Sequence, residues 1–368
     1  MPYHFYRAPV INNTEVTFAE TEVANDLCFS LLQTATFVVF NQSLGLDLLG
    51  PDPSYEVVFN VTDDVHEAPV YVPALNKIFL SRLAQGYLPQ LVIDLNHSPP
   101  TLSEYTPNPP IYAANGGTFH DGLIYYATAG GNNTLPGGEQ RPSIRTLDTI
   151  TNQSRTLLNN YYGYYFNGPD DLFLDPKDGS VWFTDPDFSW YRRRTDTPPQ
   201  LKAATYRFDP KRGIVRMVES TISQPNGIAM SPDGKTVYIA ETGVLVGDTS
   251  ADGKEGTTYN SIGDRTLYKF NVVDHGTNLC CKRPFWYVQD WIADGVKIAK
   301  NGFVVAATGK GIDVLSEMGV LIVRLQTDFV VQNFVWVPDT TGRYTEFWLM
   351  GNGRILRVKW ELEGIKLA

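Results

Sequence analysis

The chain has 368 residues, 43% of them hydrophobic and 12% aromatic, with a formal charge of −10 and a pI near 5.0. That apolar content supplies a large core and excludes a disordered chain, while an all-β or repetitive fold of this length still makes one domain, residues 1–368. The acidic balance excludes a phosphate-backbone partner, because nucleic-acid binders concentrate Lys and Arg on one face, and no apolar run reaches the ~18 residues of a membrane span.

From the N-terminus, "MPYHFYRAPV" lacks a basic region followed by an apolar one, so no signal peptide is visible. Glycosylation sequons nevertheless stand at Asn12, Asn41, Asn60, Asn96, Asn132 and Asn152, all in the first half. They read as a secretory-pathway or extracellular protein whose signal is absent from this sequence, with a cytoplasmic location as the alternative. Of three cysteines, Cys280 and Cys281 are adjacent and cannot easily pair with each other, leaving Cys28 with Cys280 or Cys281 as the candidate disulfide and free thiols as the alternative. The only basic run, Arg192 to Arg194, reads as a solvated loop.

Six blocks of one form follow, each a polar residue, an apolar or alternating run, a turn and a second β-rich run. They start at Glu67, Asn115, Asp170, Asn226, Asp294 and Asn333, separated by 48, 55, 56, 68 and 39 residues. Turns such as "KDG", "PDG" and "KNG", flanked by Val, Ile, Tyr, Phe and Trp, mark each block as a hairpin. Between blocks, "PSIRTLDTI", "AATYRFDP", "RTLYKFNVV" and "PFWYVQDW" supply further strands, about four per repeat. The pattern predicts an all-β, six-bladed propeller of four-stranded antiparallel blades, closed by residues before Glu67 pairing with "RILRVKWELEG".

In a propeller the innermost strands line a central channel, so the six block-opening residues converge on one axis. Singly, an Asn-Gly or Asp-Gly pair is a turn; six oxygen-bearing residues ahead of apolar runs are not explained that way. Three carboxylates crowded in a partly dry channel repel one another unless a cation sits among them. Ligands with oxygen only favour a hard ion, Ca²⁺ before Mg²⁺. His66 and His120 each stand near a channel end and offer a proton shuttle or a structural hydrogen bond. There is no G-x-S-x-G elbow, H-E-x-x-H or P-loop, and "DPKDGSVWFTD" and "DTSADGKEG" read as a hairpin turn and an Asp/Gly-rich loop rather than Ca²⁺ loops.

"NGPDDLFLDPKDGSVWFTDP", "QPNGIAMSPDGKTVYIAET" and "IADGVKIAKNGFVVAATGKGIDVL" resemble the gluconolactonase / senescence marker protein (LRE-like) family. "HEAPVYVP", "NGGTF" and "LLNNYYGYYFNGPDDL" are similar to its fungal lactonohydrolase-like branch, from about residue 60 onward. The resemblance implies a six-bladed propeller with one divalent cation, usually Ca²⁺, held here by Glu67, Asn226 and Asp294, and hydrolysis of a small-molecule lactone. It also implies Asp294 as ligand and candidate base. The family's Asn of an N-D pair falls on Asp170, a departure that makes Asp170 a second candidate base, with His120 a further proton-handling candidate. Asn115, Asp170 and Asn333 would orient substrate. "DPDFSWYRRRTDTPP" departs again, and its Trp190 and Tyr191 would wall a larger, flatter substrate. The competing readings are a fungal biosynthetic dehydratase or pericyclase, including a quinone-methide-forming hetero-Diels-Alderase, and a binding propeller without catalysis. The oligomeric state stays open.

Overall fold

A computed structural model describes residues 18–23, 25–84, 86–138, 140–247 and 257–366. Six antiparallel sheets stand in a ring, and the chain is an all-β six-bladed propeller. The inner strands are Val65–Val72, Ala114–His120, Leu172–Leu174, Pro225–Met230, Ala293–Ile298 and Val331–Val337, heading the first to sixth blades. Each touches the inner strands on both sides, and the sixth touches the first.

Residues from the two ends of the chain close the ring. Ser54–Asn60 pairs with Arg354–Lys359 as the outermost strand of the sixth blade, and Phe37–Val39 adds a fifth strand to the fifth blade. The expected interblock strands appear as Ser143–Asp148, Ala204–Asp209, Thr266–Val273 and Asn278–Tyr287. Second-strand runs such as Val181 to Phe183 within Val181–Asp185 and Phe347 to Met350 within Glu346–Gly351 are buried on both faces and are continuously apolar. Aromatic pairs weld neighbouring strands, among them Phe183 stacked on Tyr206 at 5.4 Å.

Two cysteines and several sequons have definite places in the structure. Cys280 and Cys281 are both free, with sulfurs 3.0 Å apart on an outer strand; the side chain of Cys28, the expected partner, lies outside the described residues. Asn12 and "DTSADGKEG" also lie outside them. Among the sequons, Asn41 caps the helix Gln42–Leu49, accepting from Leu44 N at 3.2 Å. The Asn96 amide donates to Leu75 O and Asp94 Oδ1, and that of Asn152 donates to Thr106 O, so these asparagines have structural roles. No helix among the described residues is long and apolar enough to cross a membrane.

Candidate active site

Pairing between each inner strand and its neighbour is irregular near the strand's start. The register slips between Glu67 and Val70, Ala114 and Gly116, Pro225 and Ile228, Ala293 and Val296, and Val331 and Asn333. In the third blade the same irregularity leaves both Asp170 N and Asp171 O bonded to Thr184. A bulge turns a side chain out of the sheet's alternation, and here it points one polar residue per blade into the channel. Glu67, Asn115, Asp170, Asn226, Asp294 and Gln332 all line one cavity of 310 Å³.

The sixth member is Gln332, not Asn333. Asn333 sits one residue further on, where its Oδ1 accepts from Phe334 N at 2.9 Å and its side chain packs over Gly295. Asp171 holds the same place in the third blade: its Oδ1 accepts from Leu172 N at 2.9 Å and lies against Gly116. A one-residue shift along a strand exchanges faces, and the apparent Asn-block start hid the shift. The clue was "QN": two consecutive polar residues, as in "DD".

Read in blade order, the ring alternates acid and amide: Glu67, Asn115, Asp170, Asn226, Asp294, Gln332. No two carboxylates are neighbours. Asn115 is close enough to hydrogen-bond Asp170, and Asn226 to hydrogen-bond Asp294, while Gln332 Nε2 donates to Asn352 Oδ1 at 3.0 Å. The ring is tight because small residues follow its members. A Cβ on Gly227 would lie 2.1 Å from Asp294 O, and one on Gly116 2.5 Å from Asp170 O. At the corresponding place in the first blade Ala68 takes φ of 50°, unusual for a residue with a side chain.

Burial and mutual repulsion raise the acids. Asp294 is pushed up to about 7, first by burial and then by Asp171, with Arg192, the Asn226 amide and Arg194 acting against the shift. Glu67 rises well above the usual carboxyl value through burial, then Asp294, Asp170 and Asp171. Asp170 rises through burial, then Asp294 and Asp171, opposed by Arg194 and Asn115. Other buried acids have structural partners instead: Asp185 accepts from the backbone of Asn167 and Gly168, Glu241 from Ser223, Gln224 and Gly243, and Asp313 pairs with Arg324 at 2.7 Å.

The donor set suits a hard cation. Asn226 Oδ1 is buried and accepts no hydrogen bond among the described residues, an orphan acceptor beside Asp294. No group of three His, Cys, Asp or Glu side chains among those residues could hold an ion alone; Glu67, Asn226 and Asp294 would bring two carboxylates and one amide oxygen.

His66 takes the structural hydrogen bond, and three other expectations shift. His120 ends its inner strand five residues beyond Asn115, roughly 16 Å away at ~3.3 Å per residue; it lines a separate cavity at the other channel end, with Nε2 3.4 Å from Asp121. His66 is fully buried, its ring lowered by burial, and its Nδ1 donates to Gly351 O at 3.0 Å, tying the first blade to the sixth. Trp190 and Tyr191 do not line the ring's cavity. They lie on the short helix Phe188–Tyr191, whose cavity-facing side carries Phe188 and, four residues on, Arg192. Arg192 and Arg194 face the same cavity rather than solvent, with Trp291 as a second aromatic wall.

Six blades around a buried ring of alternating acids and amides define a β-propeller with a polar cavity at one end of its channel. Residues 138–334 match the family described as the SMP-30/Gluconolactonase/LRE-like region. The chain is 45% identical to lactonohydrolase oryL of Aspergillus oryzae, across 95% of this chain and 80% of that protein. Its fold is similar to a gluconolactonase from Xanthomonas campestris, with a TM-score of 0.70 at 20% identity over 89% of this chain and 95% of the other. It is also similar to a calcium-binding regucalcin from Agrobacterium tumefaciens, with a TM-score of 0.61 at 14% identity over 85% and 95%. The chain belongs to the SMP-30/gluconolactonase/LRE-like family.

Proposed function

We propose that the protein opens a lactone ring in this channel cavity with the help of one divalent cation, Ca²⁺ by preference. The observation that carries the reading is the orphan Asn226 Oδ1 set among three carboxylates of raised pKa, in a chain whose relatives are named for lactone hydrolysis. Glu67, Asn226 and Asp294 would hold the ion, as the calcium-binding name of one structural neighbour also suggests. When bound, such an ion polarises a carbonyl oxygen and stabilises charge developing on it.

Asp170 is the carboxylate left over from that set. It takes a proton from the attacking water, whose oxygen adds to the lactone carbonyl carbon; the acyl C–O bond breaks, the proton passes to the departing ring oxygen, and the resulting hydroxy acid loses its carboxyl proton to solvent, giving a hydroxycarboxylate. Asn115, close enough to hydrogen-bond Asp170, orients it. Gln332 and its partner Asn352 line the same cavity and orient substrate. Phe188, Trp291, Leu245 and Ile292 keep the reacting end dry.

The relatives do not favour a dehydratase or cyclisation reading. The test is lactone opening followed by pH-stat before and after EDTA, with Ca²⁺ returned: activity should fall with chelation and recover. Activity that survives chelation sinks the cation-assisted reading. Asp170→Asn separates the bases, because the resemblance leaves Asp294 as the alternative: full activity in that variant would move the role to Asp294.

A further inference from the structure

We infer that the channel site takes a lactone bearing a free carboxylate, held by Arg192 and Arg194, with its hydrocarbon part against Phe188 and Trp291. The inference rests on the lactone-opening reading of the same site and adds the substrate class.

The basic run "YRRRT" is fastened in place by packing on both sides. Ser189 is fully buried and its hydroxyl donates to Ala129 O; it fills the space above Gly168, where a Cβ would lie 1.9 Å from Ser189 Oγ. The Tyr191 ring covers Gly247, where a Cβ would lie 2.1 Å from the ring. Beyond the helix, Arg194 N donates to Ser189 O at 2.9 Å, and Arg194 O accepts from Gly131 N at 2.8 Å.

Between the two cavity arginines the backbone is strained. Arg193 takes φ of 53°, a left-handed conformation that a long side chain rarely adopts. The kink sends the Arg193 guanidinium over the Trp190 ring at 5.6 Å, while Arg192 and Arg194 both line the cavity. Strain of this kind persists where the surroundings over-determine it, and it clusters at binding and catalytic sites.

Arg192 is placed for a ligand rather than for the ring's acids alone. Arg192 makes no ion pair with Glu67, Asp170 or Asp294 among the described residues; its guanidinium donates only to Thr257 Oγ1, at 3.4 Å. That leaves most of its five donors unspent at the edge of a cavity. Both arginines line the cavity that holds Asp294 and oppose the rise of its carboxyl. A planar guanidinium matches a carboxylate through two parallel hydrogen bonds, and a partly buried one does so with little competition from water. Neutral sugar lactones would use none of this, and the apolar faces of Phe188 and Trp291 suit hydrocarbon rather than a row of hydroxyls.

The test compares 5-oxotetrahydrofuran-2-carboxylate with its primary amide, two γ-lactones alike in shape and different in charge, opened by the full chain under pH-stat. The carboxylate should be preferred in kcat/KM by about 10- to 100-fold, the range of a charge-assisted hydrogen bond made in a dry site. Arg192→Gln and Arg194→Gln should each collapse that ratio towards one, mainly through KM, and Arg192→Lys should restore part of it. Arg193→Gln should leave the ratio in place. If Arg194→Gln does not fold, the Arg192 pair decides alone. A wild-type ratio near one, or a ratio that survives both Gln substitutions, overturns the inference. Calorimetry with tetrahydrofuran-2-carboxylate, which has no ester to open, separates the two levels. Binding that depends on Arg192 in a protein that opens neither lactone would uphold the anion site while the hydrolase reading fell.

Discussion

At one end of the central channel, acids and amides alternate around a cavity of 310 Å³; at the other, the same strands present Val70, Phe173, Ile228 and Val335 around a cavity of 530 Å³. The larger cavity is not where the chemistry gathers. Its walls are mostly apolar, and its charged groups are spread apart: Lys297 near Asp171, His120 beside Asp121, and Lys300 paired with Glu363 at 2.8 Å. What separates the ends is the bulge at the head of each inner strand. There the ladder is broken and a polar side chain is free to project inward; beyond it regular pairing resumes and the channel fills with hydrocarbon. Functional chemistry in this fold is located by broken pairing, not by cavity size.

Substitutions can break that contrast, and the largest effect should come from the ring itself. Asp170→Asn should lower kcat by about 10²-fold or more, the contribution of a positioned base, and Asp294→Asn should cost a comparable factor together with cation affinity measured by calorimetry. A ring variant with unimpaired kcat would show that the acid–amide alternation is only structural.

The tightness of the ring offers the next test. Gly227→Ala would push a methyl to 2.1 Å from Asp294 O, so it should cost about 1–3 kcal/mol of stability, the usual penalty for overpacking, and reduce turnover. Met230→Leu on the same strand, at the apolar end, conserves volume and should cost less than about 1.5 kcal/mol in the same denaturant titration.

Proton linkage should also favour the ring end. Burial pushes Asp185 up to about 7, against the opposing backbone N–H groups of Gly168 and Asn167, and Asp294 reaches a similar value. Unfolded aspartates titrate near ~3.9, so between about pH 4 and pH 7 the folded chain holds protons the unfolded chain has lost. Stability of cation-free protein should therefore fall as pH rises through that window and level off above it. Excess Ca²⁺ at pH 7.5 should offset the loss, since the ion binds ionised carboxylates. A thermal midpoint that rises from pH 5 to 7 in EDTA would contradict the assigned shifts.

The register correction predicts a smaller split. Gln332→Ala should raise KM several-fold with little change in melting temperature, whereas Asn333→Ala should lower stability by about 1 kcal/mol, the worth of a buried hydrogen bond, and leave KM nearly unchanged. His120→Gln, at the far end, should change kcat/KM by less than about twofold, within the few tenths of a kcal/mol expected away from packed or paired sites.

How much of this was legible without coordinates depends on the range of the interaction involved. Turn pairs such as Asp178-Gly179 and Asn301-Gly302 and the β-rich runs around them act over a few residues, so the hairpins, the six blades and five of the six ring positions can be read directly along the chain. The sixth was misplaced because Gln332 and Asn333 are both polar, and only the pairing of Val331 with Gly351 and of Asn333 with Met350 decides which of them faces inward. The aromatic wall was misassigned for a similar reason: in "DFSWYRRR" nothing local says which side of a single helical turn meets the channel, and packing on Gly168 and Gly247 turns Phe188 and Arg192 inward. The separation of His120 from Asp170, the free state of Cys280 and Cys281, and the passage of Arg192 and Arg194 from an apparent solvated loop into the cavity wall follow from where blades meet. Sequence alone determined the repeated strand–turn–strand unit and the alternating acid and amide that open its blocks, because these depend on backbone preference and hydrophobic period. Tertiary structure alone decided which faces converge, because convergence on a shared axis is set by register and by contacts between residues dozens to hundreds of positions apart.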